Sequence, residues 1–191
     1  MTAAITGRVP QLGTRLRDLG FWADRAAAIG LVLLVAVFAI ANPTFLSAGN
    51  IRSMLVASAI LVVLSVGQTF VVVTGGIDLS VASTMTFGAA VFGYAFTHGW
   101  GVAAACLGAV LGGALVGLVN GLLIGRGRIT DFVVTLGTLS AASGAALVLA
   151  DGRPVTVVNR FLLRLSTGGV GIIGWSVVVA AVVAVLAHVV L

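Results

Sequence analysis

The stretch that decides the fold is Gly67 to Thr84, which reads GQTFVVVTGGIDLSVAST. It joins two apolar runs, at about residues 54–73 and 79–96, and no polar loop separates them. Each run has roughly the 20 residues that a helix needs to cross a bilayer core of about 30 Å. The pair Gly75-Gly76 frees the backbone from helical geometry. We therefore predict that one membrane helix ends here and that the next one begins within a few residues.

Asp78 follows the glycine pair and is the only acidic residue between Asp24 and Asp131. An ionised Asp at the centre of a membrane helix costs about 2.5–3.5 kcal/mol, so it needs an edge position, a wet cavity or a partner. A broken backbone at membrane depth also needs protein or water to satisfy its polar groups. We expect the break to line a path for a polar solute. The candidate lining residues are Gln68, Thr69, Gly75, Gly76, Asp78 and Ser80.

The sequence favours a second role for Asp78 over direct solute contact. Asp is a preferred helix N-cap, and its carboxylate would accept backbone N–H groups at the start of the third helix. The sequence leaves both roles open, and one residue can serve both.

The composition excludes an ordinary soluble domain. Of 191 residues, 60% are hydrophobic and 8% are charged, whereas about 25% are charged in soluble domains. The net charge is +5 and every basic residue is Arg, but these Arg residues are scattered among apolar runs. Such scatter argues against nucleic-acid binding, which uses a clustered basic face. We predict an all-α membrane protein, a polytopic bundle of about six transmembrane helices in the lipid bilayer with a Gly-Gly break before the third.

The predicted spans form one transmembrane domain, 26–191. They cover about residues 26–42, 54–73, 79–96, 102–124, 131–150 and 170–191. Residues 1–25 carry four Arg residues and form either an amphipathic helix in the headgroup plane or a disordered basic tail. This basic cluster predicts a cytoplasmic N-terminus. The chain stops inside an apolar run without a helix-ending signal, so we expect the front part of a longer protein or a truncated product.

The fourth span carries a small residue at every fourth position. The positions are Ala105, Ala109, Gly113, Gly117, Gly121 and Gly125. Such a ridge lets helix backbones approach closely, and Asn120 on the same helix can hydrogen-bond to a neighbour. We predict helix packing through Gly113, Gly117, Asn120 and Gly121. The alternative is that Gly is simply common in membrane helices.

The residues for catalysis are missing from the sequence. Without Lys there is no Walker A loop, and two separate His residues with one Cys do not form an ordinary metal site. The five Asp residues are dispersed and form no evident acid–base pair. We expect no enzyme activity, and no cofactor or metal bound by this chain itself.

Several short motifs together resemble the permease subunits of ribose/xylose/galactose-type ABC importers. They are Asn42-Pro43-Thr44-Phe45-Leu46 with Asn50-Ile51, Gly67-Gln68-Thr69 leading into Thr74-Gly75-Gly76-Ile77-Asp78-Leu79-Ser80, Asn120-Gly121-Leu122 with Gly127-Arg128, Phe132 with Thr135-Leu136-Gly137-Thr138, and Asp151-Gly152-Arg153-Pro154-Val155. The match covers roughly residues 41–155. Thr130-Asp131 departs from the family pattern, in which a Pro is usual near this position.

The resemblance implies a bacterial inner-membrane permease that carries a monosaccharide by alternating access. It implies a second permease subunit, in a homo- or heterodimer, together with cytoplasmic ATP-binding subunits that bind ATP and Mg²⁺ and a periplasmic sugar-binding protein. Two other functions remain open. They are an ion-coupled secondary transporter, for which Asp78 is the available acid, and a non-transporting permease fragment.

Overall fold

The computed structural model describes Trp22 and residues 25–191, and the rest of the predicted basic segment lies outside the described residues. Seven helices and one short hairpin follow in this part of the chain. They are α1 (Ala26–Ala41), α2 (Ala48–Val73), α3 (Val81–Thr97), α4 (Gly101–Gly125), α5 (Asp131–Leu149), α6 (Arg160–Thr167), β1 (Gly169–Val170), β2 (Ile173–Gly174) and α7 (Trp175–Val190). The helices α2, α4 and α5 are long and apolar enough to cross a membrane, and α1, α3 and α7 are shorter apolar helices. The predicted all-α, polytopic membrane fold is confirmed.

The chain divides into two compact units, Met1–Ile51 and Arg52–Leu191. In the first unit a tight turn follows α1. The side-chain oxygen of Asn42 accepts hydrogen bonds from the backbone N–H and the hydroxyl of Thr44, at 3.0 and 2.7 Å. Such an Asx turn is the usual structure of an Asn-Pro signal. The rings of Phe38 and Phe45 stack with their centroids 5.5 Å apart, which fixes the direction in which the chain leaves the turn.

In the second unit, α3 packs against both α4 and α5. The buried core between these helices consists of small side chains, including Ala95, Ala105 and Ala142. A Cβ atom built on Gly88 of α3 would lie 3.4 Å from the carbonyl oxygen of Ala109 on α4. Helices approach this closely in membranes where small residues meet, because packing rather than water exclusion drives their association.

The segment after α5 folds back onto α3. Asp151 and Gly152 adopt positive φ angles of 52° and 63°, which end α5 and turn the chain. Val155 then reaches the carboxyl-terminal half of α3, where a Cβ atom on Gly93 would lie only 2.9 Å from its Cγ1. Gly93 therefore provides the space into which Val155 packs.

The structure differs from the sequence prediction before the last helix. Residues 151–169 were expected to be loop and the last span to begin at residue 170, but α6 and the hairpin lie here and α7 begins at Trp175. The side chain of Asn159 caps α6 by accepting the N–H groups of Phe161 and Leu162, at 2.8 and 3.3 Å. Gly171 supplies the positive φ of 58° that the hairpin needs.

The start of α2 also differs, because the helix begins at Ala48, ahead of the predicted residue 54. Arg52, expected in an outer loop, therefore lies in the helix. Its guanidinium donates to the carbonyl oxygens of Thr167 and Gly171, at 2.5 and 3.3 Å. This side chain satisfies one carbonyl group at the end of α6, which the helix leaves unpaired, and a second one in the turn of the hairpin.

We expect Gly93→Ala to lower the free energy of unfolding, because overpacking typically costs about 1–3 kcal/mol. Thermal unfolding of the detergent-solubilised protein measures the effect. Gly144→Ala on α5 is the matched control, since no atom lies within 4 Å of a Cβ at that position. The double variant Gly93→Ala/Val155→Ala should recover most of the loss. Equal stability of the two single variants would show that Val155 does not pack against Gly93.

Candidate functional site

The predicted break between the second and third spans is present. The helix α2 ends at Val73, and residues 74–80 are not helical before α3 begins at Val81. Gly75 has a φ of 78°. The N–H of Gly75 donates to Val72 O at 2.9 Å and the N–H of Gly76 to Val71 O at 3.0 Å. This pattern is a Schellman motif, in which a left-handed glycine closes the last helical turn.

Asp78 stabilises the other side of the break. Its Oδ1 accepts hydrogen bonds from the backbone N–H and the hydroxyl of Ser80, at 2.7 and 2.6 Å. Its own carbonyl oxygen accepts a hydrogen bond from the Gln68 side chain at 3.2 Å. Its Oδ2 has no hydrogen-bond partner within the part of the chain that the structure describes. One carboxylate oxygen thus pre-organises the start of α3, and the other is left for a further partner.

A chain of hydrogen bonds runs from Asp78 through the bundle. Ser80 is fully buried, and its hydroxyl oxygen accepts a hydrogen bond from the Asn120 amide at 3.0 Å. The Thr138 hydroxyl donates to the side-chain oxygen of Asn120 at 2.5 Å. The chain joins the break to α4 and then to α5. Asn120 is buried, and both ends of its amide are paired.

A second carboxylate, that of Asp131, holds the middle of the break. Its Oδ2 accepts the backbone N–H of Ile77 at 2.6 Å, and its Oδ1 accepts the N–H of Phe132 at 2.9 Å. The Ile77 amide has lost its helical partner because of the break. Asp131, in the first turn of α5, therefore replaces the missing backbone acceptor, although it lies 54 positions after Ile77 in the sequence.

A pocket of about 600 Å³ lies against the break. Residues 71–78 form one wall, and residues of α4, of α5 and of the loop between them form the others. Its polar lining residues are Thr74, Asp78, Asn120, Arg128, Thr130, Asp131 and Thr135. Hydrogen-bond donors, acceptors and charges of both signs thus converge in a protein that is otherwise apolar.

The structure brings most of the predicted path residues together. Gly75, Gly76 and Asp78 line the pocket, and Ser80 lies buried behind Asp78. Gln68 binds the break through the Asp78 carbonyl, and its Oε1 is buried without a partner in the described chain. Thr69 is exposed, and its hydroxyl donates to Ser65 O on its own helix at 2.7 Å.

The predicted packing residues fall into two groups. A Cβ on Gly113 would lie 3.8 Å from Thr84 of α3, whereas one on Gly117 or Gly121 would meet nothing within 4 Å. Gly117 and Gly121 line the polar pocket together with Asn120. The close α3–α4 contact falls instead at Gly88 and at Gly112, whose Cβ would lie 3.4 Å from Phe87. Packing of Gly117 and Gly121 against a further helix stays a prediction.

Sequence reasoning missed Asp131, Arg128 and Thr135 as pocket residues. Asp131 was noted only as a departure from a family pattern. One signal could have identified it: a break leaves backbone N–H groups without partners, and Asp131 is the next acid along the chain after Asp78. The other two residues become neighbours of the break only through the packing of α4 and α5.

Comparison with known proteins assigns the chain to a family. The family described as branched-chain amino acid transport system / permease component matches residues 50–191. The chain belongs to this family, and it is a multi-pass inner-membrane protein. No solved structure matches it.

Three relatives show where the similarity lies. The ribose import permease protein RbsC of Bacillus subtilis is 37% identical over 128 residues, 67% of this chain and 40% of the relative. RbsC of Haemophilus influenzae is 31% identical over 136 residues, 71% of this chain and 42% of the relative. The L-arabinose ABC transporter permease protein AraH of Azospirillum brasilense is 34% identical over 155 residues, 80% of this chain and 46% of the relative. The resemblance found in the motifs is confirmed, and the chain matches less than half the length of these relatives.

We expect Asp78→Ala to lower solute uptake, because the variant loses both the hydrogen bonds to Ser80 and the second carboxylate oxygen. Loss of a hydrogen bond to a charged group should cost about 1.5–3 kcal/mol of stability. Asp78→Asn is the matched variant, because it keeps an Oδ1 acceptor for Ser80. It should retain the melting temperature and still lose uptake. Normal uptake by Asp78→Ala at normal membrane abundance would rule out a transport role for this residue.

Proposed function

We propose that this chain is the membrane-spanning permease part of a binding-protein-dependent ABC importer for a monosaccharide of the ribose, xylose or galactose type. The observation that carries the proposal is the polar pocket beside the broken helix. Its volume lies within the range of about 300–1,000 Å³ that small-molecule sites occupy. Family membership and the names of the relatives support import as the direction and a sugar as the solute.

The pocket chemistry supports a neutral polyhydroxylated solute. A sugar hydroxyl both donates and accepts, so it can pair with carboxylate, amide and hydroxyl groups alike. Asp78, Thr130 and Thr135 place a carboxylate and two hydroxyl groups around one space. A neutral solute also avoids the desolvation penalty that a charged one pays inside a membrane protein.

The proposed energy source is ATP hydrolysis in partner chains. Cytoplasmic ATP-binding subunits would bind ATP and Mg²⁺, a second permease subunit would complete the path, and a periplasmic sugar-binding protein would deliver the solute. Placing the N-terminus in the cytoplasm follows the Arg cluster of residues 1–25. In this orientation the break and its pocket face the cytoplasmic side.

Disruption of the gene in its own cells tests the proposal. We expect uptake of at least one of radiolabelled ribose, arabinose, xylose and galactose to fall to background and to return on complementation. Leucine uptake is the control, because the family description names branched-chain amino acids. Uptake should stop on ATP depletion and persist when the proton gradient is collapsed at constant ATP.

Three other outcomes would each contradict the proposal. Uptake that stops with the proton gradient at constant ATP indicates the ion-coupled alternative. Loss of leucine uptake with sugar uptake intact indicates an amino-acid permease. Unchanged uptake of every sugar and of leucine indicates a fragment that does not transport these solutes.

A further inference from the structure

Thr135 is the one fully buried hydroxyl of the pocket lining that lacks a hydrogen bond in the described part of the chain. It is 1% exposed, lies on α5 and lines the polar pocket. Its Oγ1 has no partner among the described residues. A buried unpaired hydroxyl destabilises a protein, and such groups are rare in native structures.

The helix itself does not explain this unpaired group. Threonines in helices commonly donate to the carbonyl oxygen four residues earlier. Four threonines do so here, namely Thr69, Thr86, Thr97 and Thr167. Thr138 has Val134 O within 2.9 Å, but its one hydroxyl proton is directed to Asn120. Thr135 does not bond its own helix, and unlike Thr84, which also makes no such bond, it is fully buried.

The buried polar groups that share the pocket with Thr135 have partners. The Asn120 amide pairs with Ser80 and Thr138, and both oxygens of Asp131 accept backbone N–H groups. The Arg128 guanidinium and the Thr130 hydroxyl have no partner among the described residues, but both residues are exposed, and Asp78 Oδ2 also lacks a partner there. One buried unpaired hydroxyl and one unpaired carboxylate oxygen thus belong to the lining of the same pocket.

We propose that Thr135 is a solute-contacting residue whose hydroxyl finds its hydrogen-bond partner in a hydroxyl group of the transported sugar. Asp78 Oδ2 accepts a hydrogen bond from a second hydroxyl of the same solute. The ligand class is a neutral polyol with at least two hydroxyl groups. This inference rests on the proposed function. The Thr135 hydroxyl is covered by neighbouring atoms in this structure, so the contact forms as the side chain or the α5 backbone shifts on solute entry.

Isosteric replacement separates this role from a structural one. Thr135→Val keeps the shape and removes the unpaired hydroxyl. Its melting temperature should rise by about 2–12 °C, because an unpaired buried hydroxyl costs about 1–3 kcal/mol and each kcal/mol shifts the melting temperature of a chain of this length by about 2–4 °C. Its KM for uptake of the sugar that the wild type carries should rise about 2- to 10-fold, because the free energy of one net hydrogen bond corresponds to a change in affinity of this size. Thr135→Ser keeps the hydroxyl and should retain the wild-type KM.

Thr86→Val on α3 is the matched control, because the Thr86 hydroxyl donates to Ala82 O of its own helix. It should leave the KM unchanged and should not raise the melting temperature. Membrane abundance is measured by immunoblot for every variant, and Thr135→Ala replaces Thr135→Val if the latter does not accumulate.

The inference is overturned if Thr135→Val keeps the wild-type KM at normal abundance, or if its melting temperature falls. Both results leave the proposed function standing, because the wild type still takes up the sugar. A wild type that takes up no sugar overturns both. Equal loss of uptake in Thr135→Val and Thr135→Ser also overturns the inference, because it assigns residue 135 a packing role.

Discussion

A helix that is interrupted within a membrane protein leaves backbone N–H and C=O groups without partners. In the hydrocarbon core of a bilayer, no water can form the missing hydrogen bonds. The polar contacts around residues 74–80 can be traced to this constraint. The Schellman turn at Gly75 satisfies the end of α2, and the Asp131 carboxylate satisfies the Ile77 amide. Gln68 satisfies the Asp78 carbonyl. The break persists because side chains from two other segments supply what the helix has lost.

The two carboxylates have different tasks in this arrangement. Both carboxylate oxygens of Asp131 accept hydrogen bonds from backbone N–H groups, so this side chain stabilises the backbone at the break and at the start of α5. Asp78 uses one oxygen on Ser80 and keeps the other for the pocket. The Asp78 carboxylate accepts the N–H of Ser80, the residue before α3, and not an N–H group of the helix itself. Contact of its Oδ2 with a solute stays a prediction.

The sequence predicted the features that depend on local chemistry. A glycine pair between two apolar runs specifies a break, and the length and polarity of those runs specify membrane helices. Other features depend on residues far apart in the chain, such as the Ile77–Asp131 hydrogen bond and the contact of Val155 with Gly93. No local pattern encodes them. The helix α6 was missed because it is only eight residues long and because residues 151–169 read as polar loop.

Contacts near both ends of α3 connect it to α5 and to the segment that follows α5. Asp131 holds the segment that leads into α3, and the chain that leaves α5 places Val155 against Gly93. The helix α3 also packs extensively against α4, whereas α4 meets α5 less extensively and is joined to it by the Asn120–Thr138 hydrogen bond. The side of the pocket between α4 and α5 is therefore held by fewer contacts than either face of α3.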